Sequence, residues 1–144
     1  MRIKVIITAS VIVLLAFIGY FYFNSRATNG KSSNAVTAIF TAINQGDSSG
    51  SFAMFSERAR EQTSEDSWAK VVAEVKGTYN LSNIEIISDE PLENLGSTYT
   101  TEQKPRRITS NIDTATETYI TNLVVVLDND KNWKVDEMTS SRKE

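Results

Sequence analysis

The strongest hydrophobic pattern in the chain is an uncharged, apolar run near its start. Residues 5–23 read VIITASVIVLLAFIGYFYF. As a helix rising about 1.5 Å per residue, this run reaches roughly 30 Å, which is enough to cross the hydrocarbon core of a bilayer. The sequence therefore predicts a transmembrane anchor at residues 1–23, whose membrane positions include Val5, Ile12, Leu15, Phe17, Tyr20 and Phe23.

The residues that flank this run predict its orientation. Arg2 and Lys4 precede it, and positive residues favour the cytoplasmic side of a membrane, so we expect the C-terminal part outside the cell membrane. The alternative is a secretory signal that is cleaved after Ala27, which would leave the domain on the same side. We favour an uncleaved anchor because the run is longer than the roughly 7–15 residues of a signal core.

Helical periodicity dominates the next part of the chain. Residues 24–33 are polar and read as a flexible tether. A helix is then predicted to begin with Asn34 as its cap and to end at Gly46, because apolar residues recur at three- and four-residue spacing: Ala35, Val36, Ile39, Phe40 and Ile43. A second helix is predicted at residues 51–60 and a third from Thr63 or Ser64 to Gly77.

Strand patterns replace helical ones after Gly77. Strands are predicted at residues 83–88, 97–102, 114–127 and from Trp133 to Met138, and residues 139–144 are predicted to be a frayed tail. The segment from Leu123 to Leu127 is apolar at every position, which indicates a central strand buried on both faces. Helices followed by an antiparallel sheet predict an α+β domain at residues 34–138.

Composition narrows the possible functions. The chain has 144 residues, with 15 Lys and Arg against 18 Asp and Glu; without Arg2 and Lys4 the balance is 13 against 18, or −5. This acidic balance argues against nucleic acid as a partner. The chain contains no cysteine and no histidine. The usual zinc sites and the nucleophiles activated by histidine are therefore excluded, and we expect no cofactor and no metal.

Three short phrases carry a resemblance to a known fold family. Residues 35–47 end in Asn44-Gln45-Gly46-Asp47, the next helix bears Met54-Phe55-Ser56, and the last strand reads NWKVDE at residues 132–137. In this order, over residues 34–138, the phrases resemble the small NTF2-like domains with a cystatin-like cone that bacteria tether outside the membrane. The resemblance implies three helices packed on a curved antiparallel sheet, with a pocket at the mouth of the cone.

Some members of this fold are isomerases that use a carboxylate base and a tyrosine. Tyr79, Tyr99, Tyr119, Glu85, Asp113 and Glu117 supply such groups, but their spacing shows no convergence on one site. We therefore predict no catalytic residue. Phe40, Trp68, Tyr99, Tyr119 and Trp133 are candidates for the pocket or the core.

Two charged segments have simpler interpretations. Lys104, Arg106 and Arg107 form a possible basic contact patch, with a solvated loop as the alternative. Residues 128–132, DNDKN, begin like a calcium loop, but Trp133 stands where the loop needs glycine. These residues are predicted to form a hairpin turn.

The sequence thus predicts a single-pass membrane protein that displays a non-catalytic binding or assembly domain outside the cell membrane. Its expected partners are the membrane and other envelope proteins, with a homo-oligomer as a further possibility. The alternative is a small-molecule-binding, isomerase-like or lyase-like enzyme that uses the cone pocket.

Overall fold

The computed structural model describes residues 31–78 and 81–144. The predicted anchor, most of the predicted tether and Tyr79 lie outside these residues. Within the described ranges, no helix combines the length and the hydrophobicity that crossing a bilayer requires.

Four helices form the first half of the domain: α1 Ser32–Gln45, α2 Ser48–Ala53, α3 Glu57–Gln62 and α4 Glu65–Thr78. Gly46 ends α1 in the left-handed conformation (φ 75°), as predicted, and its N–H bonds the carbonyls of Ala42 and Ile43. α1 starts before Asn34, however, with Lys31 at its cap and no side-chain capping bond.

The prediction of three helices is wrong, because the second one is split. Asp47 caps α2 and Ser56 caps α3, each accepting a backbone N–H with its side chain. Between the two helices, the chain pairs with Val135, which is about 80 residues further along. The Val135 N–H donates to the Met54 carbonyl, and the Ser56 N–H donates to the Val135 carbonyl. These long-range bonds take residues 54–56 out of the helical ladder.

The second half is a four-stranded antiparallel sheet in the order β1-β2-β3-β4, with β1 Asn83–Pro91, β2 Arg106–Asp113, β3 Thr118–Leu127 and β4 Trp133–Arg142. Residues 97–102 are not a strand; they lie in the long connection from β1 to β2. Residues 114–117 form the turn before β3, closed by a bond from the N–H of Thr114 to the carbonyl of Glu117. β4 continues four residues past Met138, so most of the predicted tail is strand.

The helices pack against the sheet and enclose one core. Its fully buried members come from α1, α4 and the last three strands: Val36, Ile39, Val72, Ile108, Leu123, Val125 and Val135. β3 lies between β2 and β4, and Leu123 to Val126 are all buried, which confirms the predicted central strand. The fold is α+β, as the sequence predicted.

Candidate functional site

An apolar cleft of about 310 Å³ opens between the helices and the sheet. α1 and α4 form one wall, and β2, β3 and β4 form the other. Its apolar lining consists of Phe40, Ile43, Trp68, Val71, Val75, Leu81, Ile112 and Met138. The remaining lining residues each carry a hydroxyl: Thr114, Tyr119, Thr121 and Ser140.

Trp68 forms the inner wall of the cleft. Its ring packs edge-to-face on Phe55, with the centroids 4.8 Å apart, and its indole Nε1 donates a 2.7 Å hydrogen bond to the buried Ser51 Oγ. These contacts hold the ring against the core. The sheet side is lined by the shorter side chains of Thr121 and Ser140, whose hydroxyls are 3.0 Å apart, and space remains between them and the helices.

No lining residue of the cleft is an acid, lysine or arginine. The carboxylate of Glu117 accepts a 2.8 Å hydrogen bond from the hydroxyl of Tyr119, which lines the cleft. Glu117 is also paired with Arg142 at 2.9 Å, and its side chain is 33 % exposed. The cleft thus offers an apolar surface and hydroxyls, with one ion pair beside it.

A cluster of polar residues surrounds Asp136 on β4, which is not part of the cleft lining. The Asp136 side chain is only 3 % exposed. Oδ1 accepts from Ser56 Oγ at 2.5 Å, and Oδ2 accepts from the Tyr99 hydroxyl at 2.7 Å. Arg58 Nε lies 3.2 and 3.1 Å from the two oxygens, and its Nη2 also bonds Oδ2. Each oxygen of this carboxylate therefore accepts hydrogen bonds from two residues.

These contacts fix the charge states in the cluster. Burial favours the neutral acid, but the hydrogen bonds from Arg58, Ser56 and Tyr99 outweigh it and hold the pKa of Asp136 below its ordinary value. Burial, and then the hydrogen bonds to Asp136 and Glu137, raises the pKa of Tyr99 above its usual 10. The pKa of Arg58 is raised chiefly by its hydrogen bond to Asp136. Asp136 is an ionised structural carboxylate rather than a base with a raised pKa.

The structure separates the aromatic residues that the sequence grouped as pocket candidates. Phe40, Trp68 and Tyr119 line the cleft. Tyr99 belongs to the Asp136 cluster. Trp133 packs against the core and is not part of the cleft lining.

The basic candidates do not act as one patch. Arg106 is held by Asp89, with Nε 2.6 Å from Oδ1 and Nη2 2.9 Å from the backbone carbonyl. Arg107, the next residue on the strand, faces the other side of the sheet and is exposed. Lys104 is exposed in the connection before β2, with a φ of 43°.

The acids considered for catalysis are also dispersed. Glu85 accepts from the Asn111 amide at 3.3 Å, and Asp113 accepts from the Thr118 hydroxyl at 2.7 Å; neither residue lines the cleft. Asn132 N donates to Asp128 Oδ1 at 2.8 Å, so residues 128–132 form the predicted turn. Among the described residues, no group of three or more acids is placed to hold a metal ion.

Sequence reasoning missed the Asp136 cluster. Asp136 reads as a solvent-facing position of an alternating strand, yet an irregularity in the pairing of β3 with β4 leaves it without a partner on β3 and directed inward. A sign of its role was present, however. Ser56 and Asp136 belong to two of the three phrases that carried the family resemblance, and in the structure they touch.

Comparison with known proteins supports the fold. No protein-family model matches the chain, and no curated protein sequence matches it. Among solved structures, the chain is similar to a ketosteroid isomerase-like protein from Erwinia carotovora atroseptica SCRI1043, with a TM-score of 0.54 and 14 % identity over 78 % of this chain and 93 % of that one. At this identity the likeness concerns architecture alone. The domain therefore has the NTF2-like fold that its sequence resembled.

Proposed function

We propose that this protein is a non-catalytic binding module of the cell envelope, whose apolar cleft takes an apolar group of a partner. The observation that carries the proposal is the lining of the cleft: eight apolar side chains and four hydroxyls, with no acid, lysine or arginine. A site of this kind favours an apolar occupant through burial and orients it with a few hydrogen bonds.

The predicted membrane segment supplies the location in this proposal. Residues 5–23 would hold the domain at the outer surface of the cell membrane, with the N-terminus in the cytoplasm. The expected partners are then other envelope proteins, and a second copy of the chain is a further candidate. Because the chain has no cysteine, a single one introduced at Asn129 in an exposed turn reports the side directly. Labelling of intact cells by a membrane-impermeant maleimide is the expected result, and labelling only after lysis would contradict the orientation.

Binding in the cleft is testable with a matched pair of variants. Val71 and Ile87 are the two large hydrophobic residues most exposed in the described part of the chain, at 43 % and 53 %, and only Val71 lines the cleft. We expect indole, added to the full chain in nanodiscs, to shift the methyl NMR signals of Ile43, Ile112 and Met138 in a saturable way. Val71→Glu places a charge beside the bound ring and should weaken binding at least about tenfold.

Ile87→Glu is the control, because it adds the same charge to an exposed position away from the cleft. It should leave the indole titration unchanged. Absence of saturable shifts in the unmodified chain, or equal weakening by both variants, would contradict the cleft as a binding site.

The second candidate is isomerase-like or lyase-like chemistry in the same cleft. Two observations favour it: the likeness to a ketosteroid isomerase-like structure, and the Tyr119 hydroxyl that lines the cleft and bonds Glu117. Such chemistry needs a carboxylate base in contact with the substrate. Neither Glu117 nor Asp136 lines the cleft, but Glu117 is the residue to test because it accepts a hydrogen bond from Tyr119, which does.

The test is an assay with a β,γ-unsaturated ketosteroid, in which the absorbance of the conjugated product measures conversion. We expect no conversion above that of the Glu117→Gln and Tyr119→Phe variants. Turnover that both variants abolish would establish the enzyme and overturn the non-catalytic proposal.

A further inference from the structure

The connection from β1 to β2, residues 92–105, contains a segment that is held separately from its base. The base is closed, because Leu92 N donates to the Pro105 carbonyl at 2.9 Å and Pro105 is buried. Residues 97–103, which we call the strap, are mostly exposed and belong to no helix or strand. Long connections of this kind are often lids or binding loops.

Two half-buried residues attach the strap to the rest of the domain. The Tyr99 hydroxyl lies 2.7 Å from Asp136 Oδ2 and 2.9 Å from Glu137 Oε1. The carbonyl of Gln103 accepts a 2.7 Å hydrogen bond from the N–H of Leu127 at the end of β3. In residues 31–78 and 81–144, the other hydrogen bonds of the strap stay within the connection itself. Few contacts therefore have to break for the strap to lift.

Left-handed backbone conformations flank the strap on both sides. Gly96 has a φ of 56°, and Lys104 has a φ of 43°. Glycine adopts this conformation without strain, but a residue with a Cβ rarely does. Lys104 also directly precedes Pro105, and the residue before a proline favours an extended backbone. The strained Lys104 can relax when the strap lifts, which favours the lifted state.

A polar cavity of about 460 Å³ lies beneath the strap, which supplies Thr98, Tyr99 and Gln103 to its lining. The cavity shares no lining residue with the apolar cleft. Acids and bases both line its other sides, on α3 and around the turn between β3 and β4: Glu57, Arg58, Arg60, Glu61, Asp128, Asp130, Lys134 and Asp136.

Val126 lies in this cavity, on the face of β3 that points away from the helices. Its neighbour Val125 belongs to the core cluster, and successive side chains of a strand point to opposite faces of a sheet. Val126 is nevertheless only 3 % exposed. The strap residues that line the same cavity account for this burial.

We propose that the strap lifts from the domain as a unit while the helices and the sheet stay folded, and that this motion controls access to the polar cavity. The inference concerns a different part of the molecule from the cleft, so it does not rest on the function proposed above.

Thiol labelling tests the motion, because the chain contains no cysteine. Val126→Cys places a single thiol beneath the strap, and Val125→Cys places one in the core as a control. Each full chain, in phosphatidylcholine nanodiscs, is treated with a maleimide at limiting concentration, so that the labelling rate reports the open population. Relative to the same chain unfolded in urea, Val126→Cys should react at least about tenfold faster than Val125→Cys.

Two further substitutions separate lifting of the strap from global unfolding. Ser51→Ala weakens the core away from the strap. It should accelerate labelling of Val125→Cys at least about fivefold and leave Val126→Cys unchanged. Tyr99→Phe removes one attachment of the strap and should accelerate labelling of Val126→Cys about tenfold.

Hydrogen exchange tests the same motion in the unmodified chain. The Leu127 amide bonds the strap, so it should exchange at least about tenfold faster than the other protected amides of β3. Because lifting exposes little surface, this rate should stay constant in urea below the unfolding transition.

The opposite results would overturn the inference. Equal labelling of the two thiols, or equal acceleration of both by Ser51→Ala, would mean that the strap opens only when the whole domain unfolds. Labelling of Val126→Cys that Tyr99→Phe leaves unchanged would mean that the cavity is reached without the strap. Exchange of Leu127 together with the rest of β3 would exclude separate lifting. None of these measurements involves the cleft, so the indole titration decides the proposed function independently.

Discussion

The Tyr99 hydroxyl lies 2.7 Å from Oδ2 of Asp136, although 37 positions separate the two residues. Tyr99 belongs to the long connection between β1 and β2, and Asp136 to β4 at the other side of the sheet. Arg58 of α3 bonds the same carboxylate and also lies 5.5 Å from the centre of the Tyr99 ring. One buried carboxylate therefore joins a helix, a loop and an edge strand.

We expect Asp136→Asn to lower the free energy of unfolding by about 2 kcal/mol. The amide is isosteric, but it replaces charge-assisted hydrogen bonds from Arg58 and Tyr99 with weaker ones and directs an N–H₂ group toward a donor. Urea denaturation followed by circular dichroism measures the change.

Glu137→Gln is the matched control, because Glu137 contacts Arg58 and Tyr99 but its side chain is 53 % exposed. Its cost should stay below about 1 kcal/mol. Equal costs for the two variants would show that burial of Asp136 is not what gives the cluster its strength.

The same carboxylate predicts a loss of stability in acid. The pKa of Asp136 is lower in the folded protein than the value of about 3.9 for an unfolded aspartate, so the unfolded chain binds more protons in this range. Its contribution is present above about pH 4 and is lost as the pH falls through the folded pKa. Urea midpoints at pH 6 and pH 3 should differ more for the unmodified protein than for Asp136→Asn. Parallel curves for the two proteins would contradict this assignment.

Local patterns in the sequence were sufficient to predict the elements that neighbouring residues determine. The apolar spacing from Ala35 to Ile43 and the left-handed Gly46 identified α1 and its end. The acids in the first turn of α4 and the cap at Ser64, whose Oγ accepts from the N–H of Ser67, agree with the predicted third helix. The fully apolar end of β3 identified the central strand.

The errors lie where distant segments determine the backbone. Residues 54–56 leave the helical conformation because Val135, about 80 positions later, bonds them. The expected strand at residues 97–102 has high strand propensity, but Tyr99 is instead directed to Asp136. The cleft was implied only by the fold resemblance, since its lining comes from five separate elements and from two residues outside them, Leu81 and Thr114.

Tyr99 should ionise at a higher pH in the folded domain than in the unfolded chain. Burial and the neighbouring carboxylates raise its pKa above the ordinary 10, so the folded state keeps this proton longer than the unfolded chain does. Stability from this group is complete below about pH 10 and declines as the pH rises toward the folded pKa.

Tyrosinate absorbance measures this ionisation. The chain contains five tyrosines, and Tyr99→Phe should remove a component that ionises above the ordinary pKa of 10. Tyr119→Phe is the control and should leave that component in place. A titration that Tyr99→Phe changes only at ordinary pH values would contradict the assignment.

Ser51→Ala should destabilise the domain more than its size suggests. Ser51 is fully buried, and its Oγ accepts the 2.7 Å hydrogen bond from Trp68 Nε1, so the variant leaves a buried indole N–H without this acceptor. We expect a loss of about 1–3 kcal/mol in the free energy of unfolding.

Ser49→Ala is the control, because Ser49 is on the same helix but exposed, and it should lower the free energy of unfolding by less than about 0.5 kcal/mol. Urea denaturation in a Trp133→Phe background, where Trp68 is the only remaining tryptophan, follows both variants by fluorescence. Equal costs would mean that Trp68 is held in the cleft wall by packing alone.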